Sequence, residues 1–114
     1  ALNLNTTNKT EVITNALGLR EIKLKVNFAR AWASTRRSLI LSGFKIIDED
    51  RNEGKFYLEY ENRRSIFNRA PSFSNVQVLV SESKKGECTI STNLGEENID
   101  ISEDIISQIN QALS

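Results

Sequence analysis

Five segments of the chain have a strand-like pattern of side chains, and in some of them apolar and polar residues alternate with the period of two that is typical of half-buried β-strands. The clearest case follows Arg20, where Ile22, Leu24 and Val26 alternate with charged residues. The predicted strands cover about residues 20–26, 44–48, 55–61, 75–83 and 87–93. A polar stretch at 49–54 and a Lys-Lys-Gly-Glu turn predict hairpins, so the later strands should be antiparallel.

Two other segments have the helical period. The apolar stripe of the first holds Phe28, Trp32, Thr35 and Leu39, and that of the second holds Ile105, Ile106, Ile109 and Leu113. The first helix should begin after Asn27, whose side chain can accept a hydrogen bond from the first turn, and end at Gly43. The second should be capped by Ser102 and end near Leu113.

The order of these elements, β-α-β-β-β-β-α, predicts a single α+β domain. Two helices with apolar stripes need one sheet face to cover, so we expect a helix-grip-like antiparallel sheet with both helices on one face. A chain of 114 residues fits one such domain. Residues 1–18 are rich in Asn and Thr and are predicted to be a linker or flexible arm, which leaves 19–114 as the domain.

The composition removes the usual catalytic groups. The chain has no histidine, which is the commonest general base and metal ligand and the usual partner of a serine or cysteine nucleophile. The only cysteine, Cys88, lies in line with Ile90 on a predicted strand, where we expect a buried and inert thiol. Fifteen basic residues balance fifteen acidic ones, so no net charge attracts nucleic acid. We therefore expect no enzyme, no cofactor and no nucleic-acid partner.

One segment has the spacing of a calcium-binding loop. Oxygen-bearing side chains stand at four of the loop's ligand positions, namely Asp48, Asp50, Asn52 and Glu59. The position that requires glycine for its sharp turn is Glu53, and the flanking segments are predicted strands where the calcium motif has helices. We expect a solvated hairpin turn here and no metal site.

The segment between about 62 and 74 is the best candidate for a contact surface. Its apolar residues follow neither the strand nor the helix period, so they either fold back on the core or meet a partner. The candidate partner-binding residues are Ile66, Phe67, Arg69 and Phe73.

From about Arg20 to Leu113, the chain resembles the repeated domain of the NlpB/DapX lipoproteins, of which BamC is the best-known member. That domain combines a Phe-x-x-Ala-Trp helix, a Gly-Phe pair, an Asp/Arg turn with a glycine and an aromatic-rich strand. The matching residues here are Phe28, Ala31, Trp32, Gly43, Phe44, Asp50, Arg51, Gly54, Phe56 and Tyr60. An apolar loop with a phenylalanine, a Val-x-Val-x-Glu hairpin and a closing helix complete the similarity.

The resemblance implies a helix-grip fold and a non-enzymatic role as an accessory subunit of the complex that inserts β-barrel proteins into the bacterial outer membrane. Its partners would be other subunits of that complex. The protein would be held at the outer membrane, on the periplasmic side or the cell surface, by a lipid anchor outside this chain. The first residues have neither the basic nor the apolar region of a signal peptide. In the family a lipid anchor and an extended partner-binding segment come before the domains, so the resemblance implies that this chain is a domain from a longer protein.

The sequence is also compatible with a different class of function, the binding of a small molecule. Helices that grip a curved sheet can leave an apolar cavity, and such cavities bind small molecules. The candidate lining residues would be Trp32, Leu39, Tyr60 and Ile109. A filled core is the competing expectation, since a domain this small has few apolar contacts to spare.

Overall fold

The structure, a computed structural model, describes residues 10–62, 72–93 and 99–113. Six strands and two helices lie in these ranges. In chain order they are β1 (Thr10–Thr14), β2 (Arg20–Leu24), helix α1 (Phe28–Leu41), β3 (Lys45–Asp50), β4 (Lys55–Asn62), β5 (Ser72–Lys84), β6 (Glu87–Asn93) and helix α2 (Ile99–Leu113).

The strands form one antiparallel sheet in the order β1-β2-β6-β5-β4-β3. Hairpins join β1 to β2, β3 to β4 and β5 to β6, and α1 separates the first hairpin from the second. The predicted α+β architecture, an antiparallel sheet gripped by two helices, is confirmed.

One face of the sheet carries the core because its strands alternate as the sequence predicts. The buried sheet residues are Ile22, Leu24, Phe56, Leu58, Val76, Val78, Val80, Cys88 and Ile90. They form one cluster with Ala31, Trp32 and Leu39 of α1 and with Ile101, Ile105, Ile106 and Ile109 of α2. Both helices therefore cover the same face, and the opposite face presents mainly polar side chains such as Gln77 and Thr89.

Helix α1 begins and ends where its capping residues predict. The Asn27 side-chain oxygen accepts a hydrogen bond of 2.9 Å from the amide of Arg30. At the other end Gly43, with φ +84°, donates to the carbonyl of Ile40, and the amide of Phe44 donates to the carbonyl of Leu39. This is the Schellman pattern, and it turns the chain from the helix directly into β3.

The prediction of a linker over residues 1–18 is wrong at residues 10–14. This segment is β1, which pairs with all of β2 from Thr10 opposite Leu24 to Thr14 opposite Arg20. The apolar residues Val12 and Ile13 were too few to give a visible strand period, and pairing with β2 supplies what local pattern does not. Residues 1–9 lie outside the described residues.

The predicted cap of the second helix is also wrong. Helix α2 begins earlier, at Ile99, and Ser102 is buried within its first turns. The hydroxyl of Ser102 lies 2.5 Å from the hydroxyl of Thr92 on β6. This hydrogen bond satisfies both buried groups, so Ser102 joins the helix to the sheet.

No helix in the described ranges combines the length and apolar character needed to cross a membrane.

Candidate functional site

The structure describes only one of the four predicted contact residues. Phe73 lies near the start of β5, opposite Glu61 of β4, and 53% of its surface is exposed. Ile66, Phe67 and Arg69 lie outside the described residues. An aromatic ring exposed to this extent on a strand is uncommon for a residue that only fills the core, which makes Phe73 a candidate contact residue.

Phe73 lines an open cleft of about 670 Å³ at one corner of the sheet. Strand β3 enters the sheet there, with Lys45 paired to Glu59, whereas β4 continues past that pair to Asn62. The lining residues are Ser42, Gly43, Phe44, Lys45, Glu59, Tyr60, Glu61, Phe73, Asp104 and Gln108. The cleft therefore draws on the turn that follows α1, on α2 and on strands β3, β4 and β5.

Two aromatic rings form the wall of the cleft on the helix side. Phe44 follows the glycine turn that ends α1, and Tyr60 comes from β4. Their ring centroids are 6.3 Å apart and the planes are inclined by 29°, a stacked arrangement. Both rings are partly buried against the core cluster, so they are held in place and still present a surface to the cleft.

A network of hydrogen bonds links the Phe44–Tyr60 wall to α2. The Tyr60 hydroxyl donates to Oδ2 of Asp104 at 2.7 Å, and the amide nitrogen of Gln108 donates to both oxygens of that carboxylate at 3.1 Å. The Ser42 hydroxyl donates to the backbone carbonyl of Gln108 at 3.4 Å. The end of α1, the middle of α2 and β4 are thus linked by polar contacts beneath the cleft, which fixes the geometry of its floor.

The charged side chains of the cleft are mainly acidic. Glu59, Glu61 and Asp104 contribute carboxylates, and Lys45 is the one basic residue among the lining residues that the structure describes. The Lys45 ammonium lies 3.6 Å from the Glu59 carboxylate. Aromatic rings beside carboxylates form a surface suited to an apolar or basic segment of another protein, because rings bind both apolar groups and cations.

The residues proposed for an internal ligand cavity do not line one in the described part of the chain. Trp32, Leu39 and Ile109 are buried in the core cluster, where Trp32 stacks on Phe56 with ring centroids 4.0 Å apart. Only Tyr60 of the four lies on a cleft, and this cleft is open to solvent.

The calcium-like segment folds as a hairpin turn, with the strands that the sequence predicts on both sides. Asp50 accepts a hydrogen bond from the amide of Glu53 at 3.1 Å, so its carboxylate helps to shape the turn. Within the described ranges, no three cysteine or carboxylate side chains are grouped as metal ligands would be.

Cys88 is buried, as predicted. Burial, and to a smaller extent the carboxylate of Glu82, raises the pKa of its thiol above the ordinary value. The sulfur donates weakly to the carbonyl of Val26 at 3.4 Å. A protonated and enclosed thiol of this kind has little nucleophilic character.

Of the residues that build the cleft, Phe73 was predicted as a partner-binding residue and Tyr60 only as a lining residue of an internal ligand cavity; the others were not predicted as site residues. Asp104 accepts from Tyr60 across more than forty positions of the chain, and Gln108 donates to Asp104; no local pattern shows the contact with Tyr60. Phe44 and Tyr60 did belong to the spaced pattern of the resemblance, and that was the available signal. No protein-family model matches the chain, and no curated protein is significantly similar to it.

Proposed function

We propose that this chain is a non-enzymatic protein-interaction domain of a bacterial outer-membrane lipoprotein, similar to the domains of the NlpB/DapX family. In this role it is an accessory part of the machinery that inserts β-barrel proteins into the outer membrane. The observation that carries the proposal is the open cleft at this corner of the sheet, where Phe44 and Tyr60 lie on the helix side and Phe73 lies on the other face beside Glu61. An open surface of this kind receives a segment of another protein, whereas a small-molecule site encloses most of its ligand.

The structural roles of the residues in the spaced pattern support the family assignment. Trp32 and Phe56 stack in the centre of the core, and Gly43 ends α1 in a left-handed conformation. Gly54, with φ +70°, lies against β5 so closely that an added Cβ would be 2.2 Å from the carbonyl oxygen of Val80. Trp32 and Phe56 serve the packing of the core and the two glycines serve turns, as expected if the spaced pattern belongs to a particular fold.

The position of the cleft supports a role in binding. Its wall belongs to the same spaced pattern through Phe44 and Tyr60, and Phe73 adds an exposed ring on the other face of the sheet, beside Glu61. The Phe44 and Tyr60 rings are fixed by packing and by the hydrogen bond from Tyr60 to Asp104 before any partner arrives. A preformed surface loses little conformational freedom on binding, which favours association.

A direct test is purification of the tagged domain with its partners from detergent-solubilised bacterial envelopes. We expect subunits of the β-barrel assembly machinery to be recovered with the wild-type chain and depleted with Phe73→Glu, which places a charge on the exposed ring position. Leu17→Glu is the matched control, because Leu17 is also an exposed apolar residue and lies outside the cleft. Recovery of no assembly subunit with the wild-type chain would contradict the proposal.

The natural precursor provides an independent test of localisation. A lipid-anchored outer-membrane protein is made with a signal peptide followed by the cysteine that receives the lipid. Sequencing of the gene upstream of Ala1 should reveal both, and a full-length precursor that lacks them would remove the lipoprotein assignment.

A further inference from the structure

Strand β1 lies at the edge of the sheet. It pairs with β2 over its whole length, and no strand among the described residues lies on its other side. Edge strands with regular geometry are templates for pairing with another strand, and proteins usually protect them with charge, bulges or proline. An edge strand that lacks such protection is therefore able to pair with another strand.

The hydrogen bonds of the hairpin show which groups point outward. The amide of Asn15 donates to the carbonyl of Leu19, so this pair is of the hydrogen-bonded type. In an antiparallel ladder the two types of pair alternate, and the pairs formed by Thr10, Val12 and Thr14 with β2 are therefore of the other type. The amides and carbonyls of these three residues point away from β2, toward the open edge.

The opposite edge of the sheet, β3, has the usual protection. Its register with β4 shifts between Ile46 and Asp48, which bulges the strand at Ile47. Lys45, Asp48, Glu49 and Asp50 supply charges along it, and the Arg36 side chain of α1 binds Glu49 at 3.0 Å. Strand β1, by contrast, has an unbroken register and a single charged residue, Glu11.

We propose that β1 pairs with β1 of a second copy of this chain, antiparallel and centred on Val12, so that the two sheets join into one. In this register Val12 faces Val12 of the other copy, and Thr10 faces Thr14 in both directions. These are the residues whose amides and carbonyls point outward, and each facing pair exchanges two hydrogen bonds.

The side chains are compatible with the same register. Glu11 faces Ile13 of the other copy, so no like charges meet, and Lys23 of β2 lies next to Glu11. Val12 lies on the helix side of the sheet beside buried Ile22, yet it is 41% exposed. Pairing of two valines across the symmetry axis covers an apolar side chain that the monomer leaves in water.

A second copy fits this edge because the segment is complementary to itself. The contact is an isologous one with a two-fold axis through the Val12 pair. It is a short contact compared with a standard protein interface, so the dimer should be weak and concentration-dependent. It is separate from the cleft around Phe73, and its success or failure leaves the proposed function unchanged.

The test is sedimentation of the full chain at concentrations from low micromolar to millimolar. The wild-type chain should shift from monomer to dimer as its concentration rises. V12K and V12E should each stay monomeric, because each places like charges opposite one another, whereas an equimolar mixture of the two should restore the dimer. L17K is the control, since Leu17 is an exposed apolar residue of the β1–β2 turn, and it should dimerise as the wild type does.

A wild-type chain that stays monomeric at every concentration would overturn the proposal, and so would a mixture of V12K and V12E that stays monomeric while both variants are folded by circular dichroism. If either variant fails to fold, cross-linking replaces it. Facing Cα atoms of a hydrogen-bonded pair are about 5.5 Å apart, which is within the reach of a disulfide. V12C should then form a covalent dimer on mild oxidation and L17C should not, and the absence of a covalent dimer with V12C would also overturn it.

Discussion

Two stacked aromatic pairs show how this small domain divides its residues between stability and surface. Trp32 and Phe56 lie in the core with ring centroids 4.0 Å apart, and Phe56 has no exposed surface. Phe44 and Tyr60 stack at 6.3 Å on the wall of the open cleft, and the Tyr60 hydroxyl is bound by Asp104. All four residues belong to the same spaced sequence pattern, yet the first pair holds the fold together and the second shapes a surface.

The difference follows from what each pair is packed against. The first pair lies at the contact between α1 and β4, and both rings belong to the buried core cluster, so they meet other side chains. The second pair lies where α1 ends and β3 enters the sheet, so only one side of the rings meets the core. The spacing of aromatic residues in the sequence therefore does not distinguish a ring that stabilises the core from a ring that lines a surface. The positions of the helices and strands are needed for that distinction.

The largest effect should come from the core pair. Phe56→Ala removes a fully buried ring and the stacking partner of Trp32, and it should lower the free energy of unfolding by about 4 kcal/mol. Phe73→Ala removes the same type of ring from an exposed position and should change the free energy of unfolding by less than about 0.5 kcal/mol. Urea unfolding of both variants measures the difference, and equal losses would contradict the separation of core from surface.

The hairpin that carries Phe56 should be the next most sensitive feature. Gly54→Ala forces a side chain into a left-handed conformation and against the Val80 carbonyl, and it should cost about 3 kcal/mol. Gly43 has a similar φ, but an added Cβ there meets no atom within 4 Å, so Gly43→Ala should cost only about 1 kcal/mol. Thermal unfolding that ranks the two variants in the reverse order would show that the contact with β5 is unimportant.

The cleft pair should contribute less to stability. Tyr60→Phe keeps the ring and removes the hydroxyl that donates to Asp104, so we expect a loss of about 1 kcal/mol. Tyr57→Phe is the control, because Tyr57 lies on the opposite, polar face of the sheet and its hydroxyl has no hydrogen bond within the described residues. A loss as large as that of Phe56→Ala would place the second pair in the core as well.

The smallest effect concerns the thiol of Cys88, which lies on β6 in the same core cluster as the first pair. The raised pKa of Cys88 means that the unfolded chain ionises this thiol at lower pH than the folded chain does. Its contribution to stability is therefore complete below the pKa of the unfolded thiol and falls as pH rises above it. The difference in unfolding free energy between the wild type and Cys88→Ala should narrow from pH 7 to alkaline pH, and a difference that widens would mean the opposite sign.

The sequence predicts the elements well where periods are long and caps are explicit. The helix from Asn27 to Gly43 and the β5–β6 hairpin follow directly from apolar spacing and turn residues, and both helices lie on one face as the two stripes require. Strand β1 was not predicted, because it forms by pairing with β2 and its own residues show no clear strand period.

The candidate site was harder to predict because its parts meet only after folding. Phe73 was identified as a contact residue from its misfit with the local period, and the structure places it on the cleft. Asp104 and Gln108 were not identified, since a polar residue on a helix looks solvated until the strand beneath it is known. Ser102 was predicted to cap α2 for the same reason, whereas its hydroxyl is hydrogen-bonded to that of Thr92 on β6.

The central claim is that the cleft around Phe73 contacts the outer-membrane assembly machinery, and site-specific photo-crosslinking in bacterial cells tests it most directly. A photoreactive phenylalanine analogue in place of Phe73 should capture a subunit of that machinery. The same analogue in place of Leu17, which is 78% exposed and outside the cleft, should not. Capture of no assembly subunit from position 73, or equal capture from both positions, would contradict the claim.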